Sequence, residues 1–372
     1  MNYLLIGPAW VGDMVMAHCL VQRIAQSDSA ADIQIVAPSA TAAIAERMAE
    51  VARVHTLDVA HGELGLGARW RLGRRLAQQR WDQAFVLPNS WKSALVPVFA
   101  RAAQRTGWLG EARYGLLNDT QALPKERWPL MIERFMALTN VAQTELAKPY
   151  PSPQLAVDEQ QQAAAIARFG LTHDARRIAL CPGAQFGPAK QWPAKHFAAV
   201  ASRCVQQGYQ VWLLGGPADR AICREIGERS TALLEQSATQ SKAQSGHAGV
   251  VDLAGETDLP TAVDLLAAAA AVVANDSGLM HVACAVDTPV VAVYGSTSPE
   301  FTPPLHDRAQ VVSLVTLAAG VGAPRVDSPP PLACQPCFQR DCRYAHTNCL
   351  HQLPPAAVLT GLARAGLRVE SA

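Results

Sequence analysis

Short apolar runs alternate with helical stretches of about ten to fifteen residues, and the chain lays this alternation down twice in its 372 residues. Strands separated by helices pair in parallel through crossovers rather than as hairpins. In the first half, Tyr3–Ile6, Ile33–Ala37, Val54–Leu57 and Ala84–Leu87 read as strands. Met14–Ser27, Ala40–Glu50 and the basic Trp70–Gln79 read as helices between them. Residues 140–153 are polar and carry three prolines, and Gln160–Phe169 is a solvent-rich helix, so a boundary is expected near 150–175. The rhythm then restarts. Ile178–Cys181, Gln210–Leu214, Val272–Ala274 and Val290–Tyr294 read as strands, with helices over Pro193–Gln206, Asp219–Glu228, Thr261–Ala270 and from Gly278 to Ala285. The expected class is α/β, with two Rossmann-like domains at 1–160 and 175–348 and a tail at 349–372 ending in a helix over Pro355–Gly366. Such sheets bind ligands outside the carboxyl ends of their strands, here in the cleft expected between two halves.

Composition narrows the function classes. Hydrophobic residues at 49% and charged residues at 17% describe a globular chain. Lys and Arg number 32 against 31 Asp and Glu, which argues against a nucleic-acid partner. The opening residues have no basic region, and Asp13 interrupts their apolar run, so no secretory signal is expected. The longest apolar run is Leu265–Ala274, about half of what a membrane span needs. Nine cysteines cannot all pair within one chain. Cys19, Cys181, Cys204, Cys223 and Cys284 sit in apolar or helix-like contexts that suit a reducing cytosol.

Two sets of residues carry chemistry. Gly7 and Gly12 follow the first strand directly and permit a tight turn close to a ligand. The three-glycine dinucleotide fingerprint is missing, which disfavours a dehydrogenase. Asp13 opens the next helix, either as a carboxylate satisfying free amides or as a base that takes a proton from an attacking sugar hydroxyl. In the second half, five loops follow successive strands: Pro182–Pro193, Gly215–Asp219, Gly255–Leu259, Ala274–His281 and Tyr294–Thr297. Lys190 offers a cation for a diphosphate, and Ser277 with Gly278 offers a hydroxyl and amides at a helix start. Asp276 can accept from a sugar hydroxyl, and His281 would face the same side one turn later. An ordinary turn with a surface lysine, or a capped helix with a satisfied histidine, accounts for any one of these loops. Five in succession describe one rim of a nucleotide site.

Several of these pieces together resemble a known family. They are Gly7–Met16, Pro88–Leu95, Gly115–Asp119, Pro182–Pro193, Asn275–His281 and Tyr294–Pro299. The chain is similar to the bacterial lipopolysaccharide heptosyltransferases, glycosyltransferase family 9, and most like the subgroup that adds the second heptose. The resemblance implies a GT-B fold and an inverting transfer of L-glycero-D-manno-heptose from ADP-L-glycero-D-manno-heptose to heptosyl-Kdo2-lipid A in lipopolysaccharide inner-core synthesis. It implies Asp13 as general base and Lys190 on the donor phosphate. Asp276, Ser277, Gly278 and His281 match the donor-binding segment, and Asp219, Glu256 and Thr257 match more loosely. A tail helix packed back on the first domain is implied too. So are a cytoplasmic protein in peripheral contact with the inner membrane and no required cofactor, with Mg2+ at most stimulatory. Two departures stand out: Gln185 replaces an expected glutamate, and the stretch 234–249, which reads as an exposed loop, is longer than expected. The rivals are another family-9 transferase and a non-catalytic nucleotide-sugar-binding protein, and Asp13 beside a credible phosphate site argues against the latter.

From Arg69 to Arg113 nine basic residues face only Asp82 and Glu111. An ordinary solvated face or a site for an anionic acceptor would both explain that excess. The second reading assigns the acceptor to Arg69, Arg71, Arg74, Arg75 and Lys92, with Trp70, Trp81, Trp91 and Trp108 interleaved. Cys334, Cys337, Cys342 and Cys349 cluster near His346. Spacing alone leaves zinc, disulfides and structural thiols open, and the resemblance favours structural thiols with no metal site. A final Pro-rich stretch, Val321–Pro331, reads as surface.

Overall fold

The computed structural model describes residues 1–60, 62–171, 176–238, 249–319 and 332–370. The chain divides into two compact units: 1–156 with 300–302, and 157–299 with 303–372. The Pro-rich stretch and residues 239–248 of the expected loop lie outside the described residues.

The first unit is built on strands β1 (Asn2–Ile6), β2 (Asp32–Pro38), β3 (Val51–Leu57), β4 (Gln83–Val86), β5 (Gln104–Trp108) and β6 (Asp119–Gln121), in spatial order β3-β2-β1-β4-β5-β6. The second repeats the plan with β7 (Arg176–Cys181), β8 (Tyr209–Leu213), β9 (Val250–Asp252), β10 (Ala271–Asn275), β11 (Val290–Val293) and β12 (Gln310–Val312), in order β12-β11-β10-β7-β8-β9. Every pairing is parallel. Both are the doubly wound arrangement, in which strand order reverses beside the first strand: between β1 and β4, and between β7 and β10. The central strands are continuous apolar runs because helices cover both faces. Leu4, Leu5, Val272, Val273 and Val291 are fully buried.

The strands that periodicity misses are β5, β6, β9 and β12. They lie toward the sheet edges and are short or polar. Inside the first sheet, Gln83 Nε2 donates to Thr106 Oγ1 at 2.9 Å, and Thr106 Oγ1 donates to Asp119 Oδ2 at 2.7 Å. A sheet interior held by polar bonds leaves no apolar alternation to read. Helix ends also shift. The Arg220–Ala238 helix runs through the start of the segment that reads as a loop from Leu234.

The boundary at 156/157 gives the Glu159–Arg168 helix to the second unit. Asp158 caps that helix, accepting from the amides of Gln160 and Gln161, and its own amide donates to Asp264 Oδ1 at 2.8 Å. The final helix, Pro355–Arg364, packs against β11, β12 and the Ala194–Gln206 helix of the second unit. Val358 and Leu362 are fully buried there, and Trp192 Nε1 donates to Leu353 O at 3.1 Å. The apolar side of the tail thus finds its cover beside its own sheet.

Candidate active site

In the second unit the loops after β7, β10 and β11 converge where strand order reverses. Lys190 Nζ, from the β7 loop, donates to Asp276 Oδ2, just past β10, at 2.6 Å. Thr297 Oγ1, from the β11 loop, donates to the same oxygen at 2.6 Å. Asp276 is 4% exposed and Lys190 15%, so both charges are largely removed from water and compensate each other. The ammonium also stands 5.0 Å over the Phe186 ring. Asn275 fixes the approach of the loops. Its Nδ2 donates to Pro182 O at 2.8 Å, and its Oδ1 accepts from the Trp192 amide at 3.1 Å.

Ser277 precedes the Gly278–Ala285 helix in extended conformation, with no side-chain cap. Helix-start amides and a half-buried hydroxyl therefore stand next to the Lys190–Asp276 pair, an arrangement suited to phosphate. His281 lies one turn into the helix and is buried. Burial, helped by the Lys190 charge, pushes its pKa down to about 4 against the opposing pull of Asp276. It is a neutral imidazole under the pair rather than a charge on the rim.

The flanking loops are tied as firmly. The Asp219 carboxylate accepts from the Gly216 amide at 2.9 Å, and burial raises its pKa despite that bond. A Cβ on Gly183 would meet Asp219 Oδ2 at 2.6 Å, so glycine lets the β7 and β8 loops close on this carboxylate. Glu256 pairs with Arg220 at 3.1 Å on the surface, and Thr257 beside it is half-buried. The Cys-rich segment braces the same loops from outside. Arg340 Nε donates to Phe186 O at 2.7 Å and Gln335 Nε2 to Gly295 O at 2.9 Å, while the Cys337 and Phe338 amides donate to Ser296 O at 3.1 and 2.7 Å. Its four cysteines are free thiols, and Cys342 Sγ lies 3.9 Å from His346 Nδ1. Turn amides from Tyr344 to Thr347 hold the Cys342 thiol below its ordinary pKa, the Thr347 amide foremost. Among the described residues no group of three or more His, Cys, Asp or Glu side chains is placed to hold a metal ion.

In the first unit the β1 turn is equally constrained. The Gly7 amide donates to Val36 O at 2.9 Å, and a Cβ there would meet Met14 Cε at 2.5 Å. Thr41 Oγ1 donates to Pro8 O at 3.0 Å. The cap of the following Val11–Ser27 helix is Trp10, and Asp13 is a half-buried carboxylate within its first turn.

The basic face requires a correction. Arg69 is 7% exposed and turned inward, donating from Nε to Leu64 O at 2.7 Å. Arg113 is also buried, bonded to Pro88 O, Asn89 Oδ1 and Trp108 O, and burial lowers its pKa to about 10. Both serve carbonyls of their own fold. Arg71, Arg74 and Arg75 are exposed, and Lys92 is half-buried with Nζ on Glu63 O at 3.0 Å. Of the interleaved tryptophans, Trp81 and Trp108 are core and Trp70 and Trp91 are exposed.

A family model described as glycosyltransferase family 9 (heptosyltransferase) matches residues 69–326. The chain belongs to glycosyltransferase family 9. Among this family's members, lipopolysaccharide heptosyltransferase 2 of Salmonella typhimurium is 45% identical over 321 residues, covering 85% of this chain and 89% of that protein. Lipooligosaccharide heptosyltransferase 2 of Haemophilus influenzae is 42% identical over 322 residues, with the same coverage of 85% and 89%. The solved structure of E. coli ADP-heptose lps heptosyltransferase II superposes with a TM-score of 0.79 at 38% identity, covering 98% of both chains. The two doubly wound sheets are those of a GT-B glycosyltransferase, as the family resemblance implied.

Thr297 and Asn275 bond within this loop cluster and were not singled out from the sequence. Asn275 stood in a recognised run just past the expected strand Val272–Ala274 and was given no role there, whereas it is the last residue of β10. Thr297 is an unremarkable hydroxyl until the fold puts it on Asp276. Arg340 carried no sequence signal at all, because its partner is 154 residues away.

Proposed function

We propose that this glycosyltransferase moves L-glycero-D-manno-heptose from ADP-L-glycero-D-manno-heptose to heptosyl-Kdo2-lipid A, with inversion, in lipopolysaccharide inner-core synthesis. The carrying observation is the Lys190–Asp276–Thr297 cluster beside an uncapped helix start at the β7/β10 reversal. The names of the family members above supply the sugar class. In this reading the acceptor hydroxyl gives its proton to the Asp13 carboxylate as its oxygen bonds the anomeric carbon. The bond from that carbon to the diphosphate oxygen breaks, and ADP leaves with the electron pair. Lys190 and the Gly278 helix start balance the charge gathering on the diphosphate. Asp219, Glu256 and Thr257 hold the donor's sugar and nucleoside side, the first by setting its loop. Ser277 and His281 complete the donor segment.

Arg71, Arg74, Arg75 and Lys92 are placed on the anionic groups of the acceptor, and Arg69 is left out because it is turned into the fold. The donor cassette contains no Asp-x-Asp pair, so we assign no required metal and leave Mg2+ a supporting part on the diphosphate. The nine cysteines are all free, which suits the cytoplasm. No helix among the described residues is long and apolar enough to cross a membrane, and we assign the chain to the cytoplasmic face of the inner membrane as a peripheral protein.

Incubation with ADP-heptose and defined truncated cores, read by mass, tests the assignment. Addition of one heptose to the mono-heptosylated core alone is expected. Addition to the heptose-free core instead would move the chain to the preceding transfer step. Binding of ADP-heptose without transfer to any core would overturn the reading.

A further inference from the structure

The carboxyl-end loops of the first sheet leave large apolar side chains in water. Leu64 is 40% exposed, Leu66 50%, Trp70 52% and Trp91 42%. Leu64 stands in the connection that leaves β3, Leu66 and Trp70 in the Leu66–Leu76 helix that follows, and Trp91 at the start of the short 3-10 turn after β4. The Lys92–Glu63 bond ties these two loops together. Gly65 turns the chain at φ +54, and the buried Arg69 holds Leu64 O from below. The tip is therefore a built feature rather than a frayed loop.

The helix gives it polarity. Arg69, Leu72, Gly73 and Leu76 form the buried side. Leu66, Trp70 and Arg74, four residues apart, make one exposed stripe, and Arg71 and Arg75 make the next. The apolar side chains thus stand at the rim end, with three arginines behind them and no acidic residue on the helix. One apolar turn is small for a stable protein interface. An apolar tip backed by basic residues matches the interface of an anionic bilayer, where Trp and Leu enter the headgroup boundary and Arg meets phosphate.

We propose that this tip docks the chain on an anionic lipid surface through Leu64, Leu66, Trp70 and Trp91, with Arg71, Arg74 and Arg75 facing the lipid phosphates. The proposal deepens the reading of a lipid-anchored acceptor and rests on it. Docking brings the first unit's rim to the plane in which such an acceptor lies.

Cosedimentation of the full chain with vesicles tests it, comparing equal parts phosphatidylglycerol and phosphatidylethanolamine with pure phosphatidylcholine. Wild type is expected on the anionic vesicles and to be released by salt. The double variant Leu66→Ser/Trp70→Ser lowers the partition coefficient about tenfold or more, while Leu66→Ile/Trp70→Phe keeps it and Leu233→Ser on the second unit leaves it unchanged. Thermal midpoints show that each variant is folded. Equal binding of wild type to both vesicles, no binding to either, or wild-type binding by the serine variant overturns the proposal. Transfer to a deacylated, water-soluble acceptor needs no membrane and should be the same for wild type and the serine variant. Its failure in wild type counts against the heptosyl-transfer reading and leaves the vesicle result standing.

Discussion

The two sheets share one strand order, yet their carboxyl-end rims are furnished in opposite ways. The second unit's rim is polar and closed: Asp276 gathers Lys190 and Thr297, Asp219 clasps two glycine turns, and Arg340 and Gln335 brace the loops from outside. The first unit's rim carries the first-turn carboxylate of Asp13 and, beside the surface carboxylates of Glu63 and Glu111, exposed tryptophans, leucines and arginines. Topology decides where a ligand is met, and loop chemistry decides which ligand. A fixed polar cradle suits a small diphosphate whose geometry never changes. An open apolar and basic rim suits the anionic surface in which a lipid-anchored acceptor lies.

Under the proposed function proton removal falls to the first rim and leaving-group stabilisation to the second, so Asp13 should show the largest effect. Asp13→Asn is nearly isosteric and should lower kcat about 10²–10⁴-fold while ADP affinity stays within about twofold. Single-turnover rates and calorimetric titration with ADP measure the two quantities. Near-normal turnover would remove the base from the first unit and dissolve the division of labour.

Lys190 sharpens the other side. Lys190→Met leaves Asp276 buried without its cation, and breaking such a pair costs about 3–5 kcal/mol. Denaturant midpoints should fall accordingly, and ADP affinity should drop with them. Adding Asp276→Asn removes the stranded charge. The double variant should regain much of the stability while ADP binding stays weak. Recovery of both would make the pair a structural clamp with no part in holding phosphate.

His281 carries the second rim's pH dependence. Its native pKa of about 4 lies below the ordinary 6.5 because burial disfavours the charged ring. A depressed pKa contributes stability that is present above the unfolded value and lost as pH falls toward the native one. Between pH 7 and pH 5 the loss should be roughly 2 kcal/mol. Urea midpoints at both pH values, compared with His281→Gln, isolate it. Equal pH slopes for both proteins would show the ring is not held neutral.

The contrast between the rims also explains what the sequence made legible. The second rim could be read because its loops follow apolar strands, and Lys190, Asp276 and Gly278 sit in runs of distinctive residues. Thr297 and Arg340 could not, because their partners are brought to them only by the fold. The cover of the tail helix on β11 and β12 could not be read either, because an apolar periodicity says that a face is buried but not against what. Arg69 was misplaced for the same kind of reason. Counting charge along a segment treats every arginine as solvated, whereas residues about half a turn apart on a helix face opposite ways. Arg69 joins Leu72 and Leu76 on the inner side, and Arg71, Arg74 and Arg75 face out.

That split gives the smallest effect and the finest test of the open rim. Reversing the outward arginines, Arg71→Glu/Arg74→Glu/Arg75→Glu, should raise the KM for a deacylated phosphorylated core about tenfold through lost charge-assisted contacts. ADP affinity and the thermal midpoint should stay near wild type, because these side chains are solvated. Arg69→Gln should behave the other way, lowering the midpoint through the unanswered Leu64 carbonyl and loosening the helix start, with a smaller change in KM at temperatures where it is folded. The effect of the triple reversal should shrink as salt rises, since exposed charges are screened within about 8–10 Å at ordinary ionic strength. Identical acceptor saturation curves for the triple variant and wild type at low salt would mean that these arginines do not meet the acceptor's anionic groups.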